Sequence, residues 1–176
     1  MIIFIHLPCK PVVKQYLINN YGFNYSIPDG DLVKCIMDQL LQRNSTEQDT
    51  KITLQYYSEV AKIPISYKRF ELYGNELSKT SIRAINRTIE HIIHQRLYDF
   101  LEYQVHVVGL QLNTAIELFQ QVYCFPPEIY THDAIKKHYQ RIIRPRVHIT
   151  LSKFASVNVP IKTYGTIRKK RQQSSQ

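Results

Sequence analysis

The stretch from Ser78 to Val108, SKTSIRAINRTIEHIIHQRLYDFLEYQVHVV, decides the fold. Ile82, Ile85, Ile89, Ile92, Ile93, Leu97, Phe100 and Leu101 recur at spacings of three and four residues, the period of one helical face. Arg83, Arg87, Glu90, His94 and Asp99 fall mostly on the other faces. Ser78 or Thr80 supplies the capping oxygen at the start, and Gly109 is the natural break. The spacing predicts a long central helix that buries Ile85, Ile89, Ile92 and Phe100. Everything else in the chain has to pack around it.

Upstream, Ile2-Ile3-Phe4-Ile5-His6 is apolar on both faces and reads as a short buried strand. Pro11 opens a helix at the first position, where a missing N–H costs nothing. Val12, Val13, Tyr16, Leu17 and Tyr21 share its face, and Gly22 ends it. Asp29 or Asp31 caps a second helix carrying Leu32, Val33, Ile36, Met37, Leu40 and Leu41. The polar residues 43–50 read as an exposed loop. Ile52, Leu54 and Tyr56 alternate as a half-buried strand. Ile63 and Ile65 flank Pro64, which predicts an edge strand or an extended connector. Phe70, Leu72 and Tyr73 lead into a turn at Gly74-Asn75.

Downstream, Asn113 or Thr114 caps a short helix with Ala115, Ile116, Phe119 and Val122 on its apolar face. Cys124-Phe125-Pro126-Pro127 stops it. Thr131 caps a second helix that turns Ala134, Ile135, His138, Tyr139 and Ile142 inward, and Pro145 ends that one. This is a helix–turn–helix in outline. Beyond it, Val147, Ile149 and Leu151, then Val157, Val159 and Ile161, alternate as two short strands, and 166–176 reads as disordered in the free protein. The expected architecture is mainly α, in the α+β class: a helical core with a minor antiparallel β element over 1–110, a helix–turn–helix-like unit over 111–146 packed on it, and a basic tail over 147–176.

The 176 residues carry a formal charge of +9, and its placement matters more than its size. Residues 1–130 hold 12 Lys/Arg against 13 Asp/Glu, whereas 131–176 hold 11 Lys/Arg against Asp133 alone. Such a lopsided basic end is the footprint of a polyanion binder, with nucleic acid the leading partner and DNA favoured over RNA. On the second short helix, Gln140 and Arg141 are the candidates for base edges, because an amide matches adenine and a guanidinium matches guanine bidentately. Lys136, Lys137, Arg144 and Arg146 are candidates for phosphate contacts. Arg168, Lys169, Lys170 and Arg171 form a basic block suited to a phosphate backbone.

Other classes find less support. Cys9, Cys35 and Cys124 are scattered, with no CxxC, and read as small apolar residues in a reducing compartment; Cys124 beside Phe125 reads as packed. No run approaches a membrane span and no signal core is present, so a cytoplasmic location without membrane contact is expected. GxGxxG, the Walker loop, HExxH and GxSxG are absent from the sequence. His91 and His94 supply only two of the ligands a metal needs, and no catalytic residue, cofactor or metal is assigned. A metal-dependent nuclease would have to draw on Asp29, Asp31 and Asp38, which cap and surface roles explain more simply. A virion or assembly protein whose basic tail touches nucleic acid or an acidic partner is the other alternative.

The segment from Leu112 to Arg144, with Ala115-Ile116, Phe119, Tyr123, Ile135-Lys136-Lys137, Tyr139 and Arg141, resembles the C-terminal helix–turn–helix of small phage and mobile-element DNA-binding proteins, Mor-type transcription activators among them. The opening Leu7-Pro8-Cys9-Lys10-Pro11-Val12-Val13-Lys14 and Tyr21-Gly22 are similar to the start of phage and mobile-element proteins of this size. The likeness implies binding of double-stranded DNA by a dimer, with Gln140 and Arg141 on the reading helix. Cys124-Phe125-Pro126-Pro127 stands where a short glycine-type turn would be usual, which bears on the angle between the two helices.

Overall fold

A computed structural model describes residues 2–42 and 57–143. Its axis is helix α4, Lys79–Glu102. Strand β1 (Ile3–Cys9) leads to helix α1 (Pro11–Tyr21), helix α2 (Leu32–Leu40) and the two-residue strand β2 (Leu41–Gln42). After the second described segment begins come β3 (Glu59–Ile65), α3 (Tyr67–Tyr73), β4 (Glu76–Leu77) and α4. Helix α4 runs into a wide π turn over Tyr103–Val107. Helix α5 (Leu112–Val122) and helix α6 (His132–His138) follow, and α6 continues into a second π turn over Tyr139–Ile143.

The described residues are mainly helical, with two small antiparallel sheets among them. In the larger, β1 pairs with β3 from Ile3↔Ile65 to Cys9↔Glu59. Ile5, Leu7 and Cys9 on one strand and Ala61, Ile63 and Ile65 on the other are buried. The opposite face is open: Phe4 and His6 are exposed, as is Lys62. At Phe4 and His6 the apolar run near the N-terminus is therefore covered on one face only, whereas Pro8 farther along the strand is buried. Pro64 sits in β3 where a two-stranded sheet leaves an edge for it. In the smaller sheet Leu41 pairs with Leu77.

Helix α4 buries Ile82, Ile85, Ile89, Ile93, Leu97 and Leu101, while Ile92 and Phe100 lie half-buried at the border of the stripe. Among these apolar groups sits Asn86, only 2% exposed. Its Nδ2 donates to the carbonyls of Pro8 and Ile82, both at 2.9 Å, and its Oδ1 accepts from the Lys10 N–H at 3.2 Å. The amide thus satisfies backbone groups where β1 gives way to α1. Helices α5 and α6 pack on α4, and Ala115, Ile116, Phe119, Phe125, Ile135 and Tyr139 join the same buried cluster as the N-terminal elements.

Three expected caps are formed. Asp31 Oδ1 accepts from Val33 N–H at 2.8 Å, Ser78 Oγ from Ser81 N–H at 3.1 Å, and Thr131 Oγ1 from Ala134 N–H at 3.3 Å. Gly22 ends α1 with φ of 73°, a left-handed geometry that a side chain would strain. Helix α5 begins earlier than expected, with Gln111 at the N-cap and no side-chain cap bond. Helix α3 was not foreseen: Ser66 caps it, Gly74 ends it, and none of its residues is buried. Two positions expected inward face solvent, Ala134 and Val122, the latter 57% exposed. Cys124, expected to be packed, is exposed in a turn with φ of 51°. The expected loop at 43–50, the strand at 52–56 and the tail strands lie outside the described residues.

Candidate nucleic-acid interface

Helix α6 owes its position to its buried edge. Ile135 and Tyr139 are in the core, four residues apart on one side of the helix. His138 lies between them and α4: its Nε2 meets the Tyr98 hydroxyl at 2.5 Å, and its ring stands 4.1 Å from that of His94. A second imidazole–phenol pair joins the Tyr139 hydroxyl to His106 Nε2 at 3.1 Å. Two such contacts, one to α4 and one to the π turn behind it, fix both tilt and rotation of α6.

The imidazoles sit in a low-polarity environment. Burial pushes His94 down to about 4, and the neighbouring His138 pushes the same way. His138 is lowered too, by burial first and then by the charge of Arg141. Both shifts favour the neutral imidazole. Tyr130, in the segment leading to α6, is half-buried, and its hydroxyl is buried with no hydrogen-bond partner among the described residues.

With its inner edge so fixed, α6 turns a polar face outward. Lys137, Gln140 and Arg141 are exposed and Lys136 is half-buried. At helical spacing, 136, 137, 140 and 141 share one side, opposite Ile135 and Ile142. Among the described residues, no carboxylate pairs with Lys136, Lys137 or Arg141. The four residues expected to act together are therefore brought together. Gln140 and Arg141 lie on the π turn that continues α6. Arg144, Arg146, Arg168, Lys169, Lys170 and Arg171 lie outside the described residues.

The connector between α5 and α6 is built, not slack. Phe125 is buried and its N–H donates to the Gln120 carbonyl at 2.9 Å, while the Pro126 carbonyl accepts from Ile129 and Tyr130, each at 3.0 Å. Gln120 Nε2 donates to the Tyr130 carbonyl at 2.7 Å. From α1, Asn19 Nδ2 donates to the carbonyls of Tyr123 and Cys124 at 2.8 and 3.0 Å. The connection between the two helices is thus longer than the three or four residues of the simplest helix–turn–helix, and is held by hydrogen bonds along its length.

The carboxylates considered for a nuclease are engaged elsewhere. Arg69 reaches Asp29 at 2.9 Å and Asp38 at 3.2 Å. Asp31 Oδ1 accepts from the Tyr21 hydroxyl at 2.9 Å besides capping α2. Lys34 is buried against the same acidic residues, with its pKa lowered by that burial. Among the described residues no three His, Cys, Asp or Glu side chains are placed to hold a metal ion, His91 and His94 included. No described helix is long and apolar enough to cross a membrane. Compared with known proteins, the chain matches no family model, no curated protein and no solved structure.

Proposed function

We propose that the protein is a non-catalytic nucleic-acid-binding protein that grips double-stranded DNA with the outer face of α6 and the basic chain that follows it. The observation that carries this reading is the unpaired state of Lys136, Lys137 and Arg141 among the described residues, on a helix whose inner face is pinned to the core. Cations that served stability would be expected to sit beside carboxylates. The chain after Thr131 offers only Asp133 to do so. Lysines on phosphate release condensed counterions, so affinity should fall steeply with salt. Gln140 and Arg141 read base edges in the major groove, and the lysines set register. A dimer fits the reading, since one short helix buries little surface on a duplex.

The test is binding of the full-length chain to duplex, single-stranded DNA and RNA by fluorescence anisotropy across a salt series. Lys136→Ala and Lys137→Ala should weaken all duplexes alike, each lowering the slope of log K against log salt by about 0.9. Arg141→Ala should relax preference among duplexes at one position, by about 1–3 kcal/mol of discrimination. Glutamine at 168–171 should weaken binding without changing preference. Absence of duplex affinity at low salt ends the proposal.

A second reading, an assembly protein whose basic tail meets packaged nucleic acid, is favoured by the open face of the β1–β3 sheet. Ile2 is 69% exposed and Phe23, beside that face, 83%. An obligate oligomer without duplex affinity at moderate salt would decide for it.

A further inference from the structure

Where α1, α4 and α5 meet there is a pocket of about 130 Å³. Ile93, Phe119, Tyr123 and Phe125 form an apolar wall, and Asn20 and Arg96 are polar groups on its lining. An apolar cavity of about 150 Å³ is enough to take benzene. The space therefore suits one six-membered ring.

Arg96 gives the pocket its selectivity. Its guanidinium lies over the Tyr16 ring, 5.1 Å from the centroid, and its Nη1 donates to Asn20 Oδ1 at 2.9 Å. Lys10 pairs with Glu90 and Lys14 with Glu59, and the two arginines earlier on α4 that have no ion pair among the described residues, Arg83 and Arg87, are exposed to water. Arg96 has no carboxylate partner among the described residues, although it is half-buried. A guanidinium carries five N–H donors in a planar fork that fits a carboxylate bidentately. Asn20 is its single hydrogen-bond partner among the described residues. A half-buried cation beside an aromatic wall lacks an anion that also carries a ring.

We propose that this pocket binds a monocyclic aromatic carboxylate of the benzoate class, its ring against Phe119 and Tyr123 and its carboxylate on Arg96. The occupant would lie against Tyr123 and Phe125, in the connector that leads to α6, so it would touch the segment that sets the outward helix. The proposal is independent of nucleic-acid binding and stands or falls on its own assay.

The exposed thiol of Cys124 lines the same pocket, whereas the exposed Cys35 stands on α2 and does not. Iodoacetamide labelling of the full chain, read by mass spectrometry at each cysteine, therefore carries its own control. Sodium benzoate, with sodium chloride matched for ionic strength, should slow labelling of Cys124 saturably and leave Cys35 unchanged. Acetate, which has the charge without the ring, and benzyl alcohol, which has the ring without the charge, should each need at least tenfold more to do the same. Arg96→Gln should weaken protection at least tenfold, since a charge-assisted pair is lost. Should that variant melt early, Val122→Trp serves instead: Val122 lines the pocket but is largely exposed, so the larger side chain blocks the ring with little cost to the core. Benzoate protection that is missing, equal at both cysteines, matched by acetate or benzyl alcohol, or undiminished in the folded variant overturns the proposal.

Discussion

The two ends of the described chain treat charge in opposite ways. Around α1 and β3, three cations are answered within the fold, Lys10 by Glu90 at 2.6 Å, Lys14 by Glu59 at 2.8 Å, and Arg69 by Asp29 and Asp38, while the exposed Lys62 and Lys68 have no ion pair among the described residues. On α6, Lys136, Lys137 and Arg141 have no such answer among the described residues. Exposed ion pairs contribute only about 0–1 kcal/mol each, so the first arrangement is not what holds the molecule together. What it accomplishes is to neutralise three of the cations on that surface. The second arrangement leaves a positive surface open to a partner. The common core beneath both regions makes them one test object, and perturbing it should abolish the contrast altogether.

The largest effect belongs to Ile89→Asp. Ile89 is 1% exposed at the centre of α4, and a carboxylate there would be buried without a partner. We expect loss of cooperative folding under ordinary conditions, a cost beyond about 4 kcal/mol, seen as a missing thermal transition in circular dichroism. A variant that melts like the parent would mean that α4 is not the axis, and both regions would need a new support.

Next is Asn86→Ala, which acts on the N-terminal region alone. It strips partners from the Pro8 carbonyl and the Lys10 N–H, at a cost of about 1–3 kcal/mol. Urea denaturation should show this loss, while duplex affinity of the folded fraction should stay as it was. A parallel fall in both would tie the two regions more tightly than their charge patterns suggest.

Much of this framework was legible beforehand. Periodicity located α4, and the caps at Asp31, Ser78 and Thr131 were readable because a side-chain oxygen two or three residues before a bare N–H is a local event. Helix α3 escaped because it buries nothing, so no apolar stripe announces it. Ala134 and Val122 were misplaced because periodicity gives the direction of a side chain but not where the neighbouring element ends. The imidazole cluster was the least legible feature. His94 was expected among outward residues, and its partner His138 is 44 positions away in sequence, a distance no local pattern spans. The outward face of α6 was readable in composition, and its unpaired state needed the fold.

That cluster yields the third prediction. His94 is held near 4 against an ordinary value of 6.5, chiefly by burial, with His138, His91 and Lys10 adding to the shift and Glu90 opposing it. The Tyr98 ring stacks beside it. A histidine whose folded pKa is depressed favours the folded state above its unfolded value, and that contribution is lost as pH falls from about 6.5 towards 4. The melting temperature should therefore drop over this window, and His94→Gln should flatten the drop. Because His138 fixes α6, the loss should reach the C-terminal region first, as earlier hydrogen exchange in α6 than in α1. An unchanged pH profile in the variant would move the titration to other groups.

The smallest expected change in stability is at Lys137, and it is the sharpest probe of the contrast. Lys137 is exposed near the C-terminal end of α6, one turn after Asp133 but in no ion pair among the described residues. A cation there gains about 0.3–1 kcal/mol from the helix dipole at most, while relief from Arg141 and Lys136 works in the opposite sense. Lys137→Gln should therefore shift unfolding free energy by no more than about 0.5 kcal/mol. Lys14→Gln, by contrast, leaves Glu59 without the amine that now holds it at 2.8 Å, and should be the more destabilising of the two. If α6 is built for an anionic polymer, Lys137→Gln should lose duplex affinity and salt slope while Lys14→Gln loses neither. Equal behaviour of the two variants in both assays would mean that the unpaired cations are no more functional than the paired ones.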